Sequence, residues 1–253
     1  MKKYLPIIIF VAGLIVILAS LFLFLKTRKD NKKDNTQNAD EEINLVELSF
    51  EKRPYVSLTP KTDGHYLVLS IEKLNIDGVS SIDYELLYDT KTGVTQGVPG
   101  TFSLDEESSV EADLLLGSES SGKFRYDDGV EKGSLTIWLR NDKGKLMAKE
   151  VLDFKMFSNT AELQSIDNEF KYIFKKKMSG YFVIMNTWGF PESVDVYIGY
   201  GPYGIFSSLN NALPGEVSIK GNIISFWNGE KWETLSGTSV KNIGIFIGTD
   251  SSN

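Results

Sequence analysis

The sequence holds no cysteine, one histidine and seven prolines in 253 residues. Without cysteine there is no disulfide, no thiolate nucleophile and no thiolate zinc site. That absence leaves the compartment open, because a cysteine-free chain suits either side of a membrane. The single histidine, His65, follows Asp63-Gly64 at an expected strand start. A hydrolytic triad needs an orienting acid and a nucleophile beside its histidine, and the sequence assigns neither, so His65 reads as an ordinary surface residue. A fixed-period repeat and an EF-hand spacing are missing as well.

What is present is enough apolar material for a packed core: 42% hydrophobic and 12% aromatic residues exclude a disordered tail as the main body. Charge is unevenly spread. Residues 1–39 carry seven basic and two acidic side chains, about +5, and the remainder carries 20 basic and 32 acidic, a net −12. A surface that acidic repels phosphate backbones and argues against nucleic acid as a partner.

A run of 21 uncharged residues, 5–25, opens on Leu5 and closes on Leu25. At about 1.5 Å per residue it matches the roughly 30 Å hydrocarbon core of a bilayer, so residues 5–25 are expected to form a transmembrane helix behind a short tail, 1–4. A cleaved signal peptide has a shorter apolar stretch and a small-residue cleavage site, whereas Ala19-Ser20 runs on into Leu21, Phe22 and Leu23. Five basic residues within 26–33, against two before the helix, favour a cytoplasmic C-terminal side by the positive-inside rule. The short Lys2-Lys3 tail is instead the usual start of an export signal. The expected placement is a single-pass signal anchor in the cell membrane, N-terminus inside, with the rest extracytoplasmic. Residues 26–43, with no large apolar cluster, read as a charged flexible tether.

From residue 44 on, apolar residues alternate with polar ones and turns recur. Leu67, Leu69 and Ile71 share a face; so do Ile82, Tyr84, Leu86 and Tyr88, and Leu135, Ile137 and Leu139. Asn141-Asp142-Lys143-Gly144 and Asn228-Gly229 mark hairpins. Period-two alternation with frequent turns predicts antiparallel sandwiches, buried on one side and wet on the other. The expected fold class is all-β: two antiparallel, immunoglobulin-like β-sandwich domains after one transmembrane helix. Residues 44–157 form the first, 158–168 a polar linker and 169–253 the second. Residues 160–175 admit two readings, a helix through Leu163, Ile166, Phe170 and Ile173, or a strand carrying Phe170, Tyr172 and Phe174 on one face. The last strand is expected to turn Ile243, Ile245 and Ile247 inward.

Candidate chemistry is sparse. Ser-x-x-Lys at Ser49/Lys52, Ser70/Lys73 and Ser120/Lys123, with Lys91-Thr92-Gly93, is similar in spacing to penicillin-binding signatures. Such a serine must open a helix, and these fall in strands or loops; the intermediate Ser-x-Asn is also missing between Ser70 and Lys91. Asp167-Asn168-Glu169, at the expected domain boundary, is the best-placed oxygen cluster for calcium. Trp188, Tyr197, Tyr200, Tyr203, Trp227 and Trp232 could offer flat rings to a sugar or a protein partner, or could fill the core. The expectation is a non-enzymatic protein without cofactor, anchored in the membrane by residues 5–25, that contacts an envelope protein or polysaccharide.

Overall fold

The computed structural model describes residues 45, 48–74, 76–105, 107–194 and 198–250. The expected transmembrane helix 5–25, the tether 26–43 and Tyr197 lie outside the described residues. No described helix is long and apolar enough to cross a membrane.

Among the described residues, sixteen strands follow a 3-10 turn, Phe50–Lys52. The first eight are β1 (Tyr55–Pro60), β2 (Tyr66–Glu72), β3 (Ser81–Asp89), β4 (Thr95–Ser103), β5 (Ser109–Leu115), β6 (Gly117–Ser120), β7 (Lys123–Tyr126) and β8 (Lys132–Arg140). Then come β9 (Leu146–Gln164), β10 (Phe170–Asn186), β11 (Tyr200–Ser207), β12 (Gly215–Ile219), β13 (Ile223–Trp227), β14 (Trp232–Leu235), β15 (Ser239–Val240) and β16 (Ile245–Thr249). All pairings are antiparallel. Strands β1, β2 and β5 make a small sheet, β6 and β7 a separate hairpin, and the rest one large sheet ordered β14-β13-β16-β11-β10-β9-β8-β3-β4, with β12 attached to β10 and β15 to β12. The fold is all-β, as the alternation requires.

Local chemistry sets the turns. Asn141 Oδ1 accepts the backbone N–H groups of Lys143 and Lys145 at 3.0 and 2.9 Å, and Gly144 supplies a φ of 73°. Asn228 does the same for Glu230 and Lys231. That loop is longer than a two-residue turn, since Trp227 pairs with Trp232 across it.

Two apolar clusters form, and they lie on opposite faces of β10. Val183 and Met185 join the first, with Leu67, Leu69, Ile71, Ile82, Leu135, Ile137 and Phe154, beneath the β1-β2-β5 sheet. Phe182 and Ile184 join the second, with Leu163, Phe170, Tyr172, Tyr203, Phe226 and Phe246. One strand can serve both because successive side chains point to opposite faces. The second cluster closes because the β9–β10 ladder breaks between Ile173 and Tyr181. Such bulges let a strand turn a corner between packed layers. The front of β10 then pairs with β12 through Phe170–Ile219 to Phe174–Gly215, while its back pairs with β11.

One sequence expectation is corrected here and one open reading is resolved. The polar stretch 158–168 is not a linker: residues up to Gln164 belong to β9, and 165–169 form the turn into β10. Its polarity serves the turn. Ser165 is buried and its Oγ accepts the Phe170 N–H at 3.0 Å, and Asp167 Oδ1 accepts the Glu169 N–H at 3.0 Å. For residues 169–175 the strand reading holds, with Phe170, Tyr172 and Phe174 buried and Ile173 exposed. On β16, all five residues are buried. Ile245 and Ile247 are inward as expected, buried on the face they share with Trp227, and Ile243 packs against the second cluster; Phe246, on the opposite face of β16, is buried as well and belongs to that cluster. A central strand covered on both sides has no wet face for the alternation to mark.

Candidate functional site

The C-terminal aromatics part company once placed. Trp188, Tyr203 and Trp227 are buried, so they cannot form the exposed platform expected of them. Tyr203 stacks on Phe170 at 5.0 Å and donates its hydroxyl to Asp167 Oδ2 at 2.7 Å. Trp188 sits in the first cluster beside Gly189, where a Cβ would come within 2.4 Å of the Arg53 carbonyl oxygen. The absent side chain lets residues 53–54 close over this loop. Tyr200 and Trp232 are half-buried. Lys220 Nζ lies 4.8 Å from the Tyr200 ring, and Trp232 packs between Trp227 and Phe190 at 5.7 and 5.5 Å. The rings of Phe50 and Phe190 stack in turn at 5.7 Å, extending the cluster to the first described residues.

The Asp167 and Glu169 carboxylates already have donors. Asp167 takes hydrogen bonds from Ser165, Tyr203 and the Glu169 N–H, and Glu169 pairs with Lys220 at 3.3 Å. Asn168 takes a φ of 63°, the left-handed conformation that asparagine tolerates in turns. The arrangement works as a hairpin lock. Tyr203 is affected in the same way: burial first, then the Asp167 carboxylate, push its hydroxyl pKa up. The three Ser-x-x-Lys pairs fall at the 3-10 turn, at the end of β2 and at the β6–β7 tip, none opening a helix of more than three residues.

Two surfaces remain. The first is the outer face of β4-β3-β8-β9, turned away from the first core. Register places Thr101, Asp83, Trp138 and Lys149 in one row and Pro99, Glu85, Thr136 and Val151 in the next. Arg140 Nε donates to Asp83 Oδ2 at 2.6 Å, Thr101 Oγ1 donates to Asp83 Oδ1 at 2.7 Å, and Lys149 Nζ lies 5.8 Å from the Trp138 ring. Val151 is 53% exposed. Burial raises the Asp83 pKa, but the Arg140 and Thr101 hydrogen bonds and the Arg140 charge outweigh it and hold the carboxyl below its ordinary 3.8. A depressed carboxylate adds stability above its unfolded pKa and loses it as pH falls through the folded one. Asp83→Asn should therefore be less stable than the parent at neutral pH, and the gap in urea midpoints should shrink below about pH 4. A gap that stays constant into acid would show that Asp83 contributes nothing through its charge.

The second surface is a cleft of about 600 Å³ between the 63–65 loop, the 127–132 segment and the middle of β9, with Tyr181 beside Gly64. The Tyr181 ring occupies the space a Cβ on Gly64 would need, at 2.3 Å. Backbone bonds hold the rim: Met156 N–H donates to the Glu131 carbonyl at 2.8 Å, and Lys91 N–H to that of Asp128 at 2.8 Å. Tyr88 donates to Asp127 Oδ2 at 3.0 Å, an interaction that, after burial, helps push the tyrosine pKa up. His65 lines this cleft, and its ring stacks on Tyr126 at 3.8 Å and 10°. From sequence alone His65 reads as an ordinary surface residue; its ring partner is 61 positions away, and no local signal connects them. Comparison with known protein families, with curated proteins and with solved structures finds no match to this chain.

Proposed function

We propose that this chain is a non-catalytic, single-pass membrane protein whose two immunoglobulin-like sandwiches stand outside the cell and make contact with a protein partner of the envelope. Residues 5–25 would be the signal anchor and 26–43 the tether. The observation that carries the partner-contact reading is the outer face of β4-β3-β8-β9. A tryptophan at mid-sheet, a 53% exposed valine and the exposed Pro99 are bordered by the Asp83–Arg140 pair and Lys149. An aromatic anchor within a mixed polar border is the composition of protein interfaces.

Two measurements test this. Protease added to intact cells should remove the β-rich part and leave a small membrane fragment; protection until lysis would reverse the orientation. A photo-reactive side chain at Val151 should give one discrete adduct in cells. The same group at Val94, equally exposed but in the β3–β4 turn, should give none. Equal adducts at both positions, or none at Val151, would remove the face from consideration.

A further inference from the structure

Among the large hydrophobic side chains that the fold leaves exposed, the aromatic ones are Phe124 at 47% and Tyr126 at 40%. They are neighbours on one face of β7. Their rings are parallel within 10°, with centroids 6.2 Å apart, and Tyr126 continues the stack onto His65. Among the described residues, the hairpin that carries them pairs with no other strand. A lone two-stranded hairpin is marginal in water, and exposing two aromatics on it costs stability without serving either core. The row of rings ends on a wall of the 600 Å³ cleft, where Asp128, Glu131, Lys132 and Gln164 bring carboxylates, an ammonium and an amide together.

We infer that this cleft, with the Phe124–Tyr126–His65 ring row beside it, is a binding site for an uncharged saccharide. Flat rings offer an apolar surface to the C–H face of a sugar, while carboxylates accept and Lys and Gln groups donate hydrogen bonds to its hydroxyls. A cleft of this size with a preformed rim suits a ligand of a few rings. Charge narrows the choice. Five carboxylates against two lysines line the cleft, so an anionic polymer or an anionic bilayer is repelled. A basic peptide would be attracted too, its cations to the acids and to the ring faces, which makes hexalysine the competing occupant that the test must exclude. The site shares no residue with the outer sheet face, so the two can fail separately.

His65 is the sole histidine of the chain, so its imidazole gives one unambiguous nuclear magnetic resonance signal at the cleft wall. The probes are cellohexaose, hexa-N-acetylchitohexaose and mannohexaose, all uncharged, titrated into the full-length chain held in a zwitterionic, sugar-free detergent, with hexalysine as the charged comparison. At least one oligosaccharide should shift the His65 signal saturably, and hexalysine should not displace it. Phe124→Ala should weaken that binding about tenfold, the loss of roughly one stacking contact. Glu131→Gln should weaken it as well. Both variants lie at exposed positions and should keep the parent's melting temperature. No shift with any oligosaccharide up to millimolar concentration overturns the proposal. So does binding of hexalysine alone, which would make this a site for basic peptides. Sugar binding that survives both Phe124→Ala and Tyr126→Ala, followed by calorimetry, overturns it too.

Discussion

Phe246→Asp should abolish the cooperative thermal melt of the entire β-rich part, not only of its C-terminal half. Phe246 is fully buried and packs against Phe170 at 5.2 Å and Phe226 at 4.8 Å. Removing a buried phenylalanine costs about 3–5 kcal/mol. An unpaired carboxylate in its place adds a desolvation penalty of several kcal/mol more. That total rivals the stability of a whole domain, about 5–15 kcal/mol. The damage should spread because β10 lines both clusters, Phe182 and Ile184 on one face and Val183 and Met185 on the other. Ile223→Asp, at a 38% exposed position on the adjacent strand β13, is the control and should melt close to the parent. Circular dichroism and limited proteolysis read the outcome. A stable fragment retaining β1 to β8 after Phe246→Asp would show that the cores are independent. Ile245→Asp should be nearly as damaging, since that face is buried too.

The second large effect concerns a glycine inside a regular strand. Gly133 pairs with Tyr88 on one side and Phe154 on the other. A Cβ there would stand 2.1 Å from the Leu87 carbonyl oxygen and 2.7 Å from the Phe154 ring. The ring lies over the bare backbone of its cross-strand neighbour, a device that lends packing to a glycine otherwise unfavourable in a strand. Gly133→Val should destabilise by about 3 kcal/mol or more, the upper range for overpacking, because a backbone carbonyl of a central strand cannot move aside. Gly237→Val, where nothing lies within 4 Å, should change little. Shortening the ring in Gly133→Val/Phe154→Ala should not restore stability. Recovery in that double variant would mean that the ring, and not the Leu87 carbonyl, was the obstacle.

How far the fold is legible in the sequence depends on whether a strand has one wet face. Strands β2, β3 and β8 do, and their alternation marks the inward residues at Leu67, Leu69 and Ile71, at Ile82 and Leu86, and at Leu135, Ile137 and Leu139. Strand β10 behind its bulge, and β16, are covered on both sides. There alternation disappears, and only an apolar run is left to read. The stretch 158–168 misleads for a different reason. A tight turn needs the same serine, asparagine and aspartate that a linker has, and the difference lies in what Ser165 and Asp167 bond to. The aromatics near the C-terminus carry no inside-or-outside label of their own. Trp188 is buried because residues 53–54 close over Gly189, a contact across some 135 positions. The aromatic row beside the cleft joins residue 65 to 124 and 126, so the candidate site too is a product of the fold and not of any local run.

The shared hairpin of β9 and β10 also limits how such a chain can change by descent. Proteins built as beads on a string exchange whole modules, because a break between beads severs few contacts. A crossover anywhere in residues 158–168 would cut the ladder between two strands of 19 and 17 residues, and each recombinant would inherit half of two cores. The halves of this protein are therefore expected to be inherited as one block, with insertions confined to exposed turns such as Asp142–Gly144 or the β6–β7 tip.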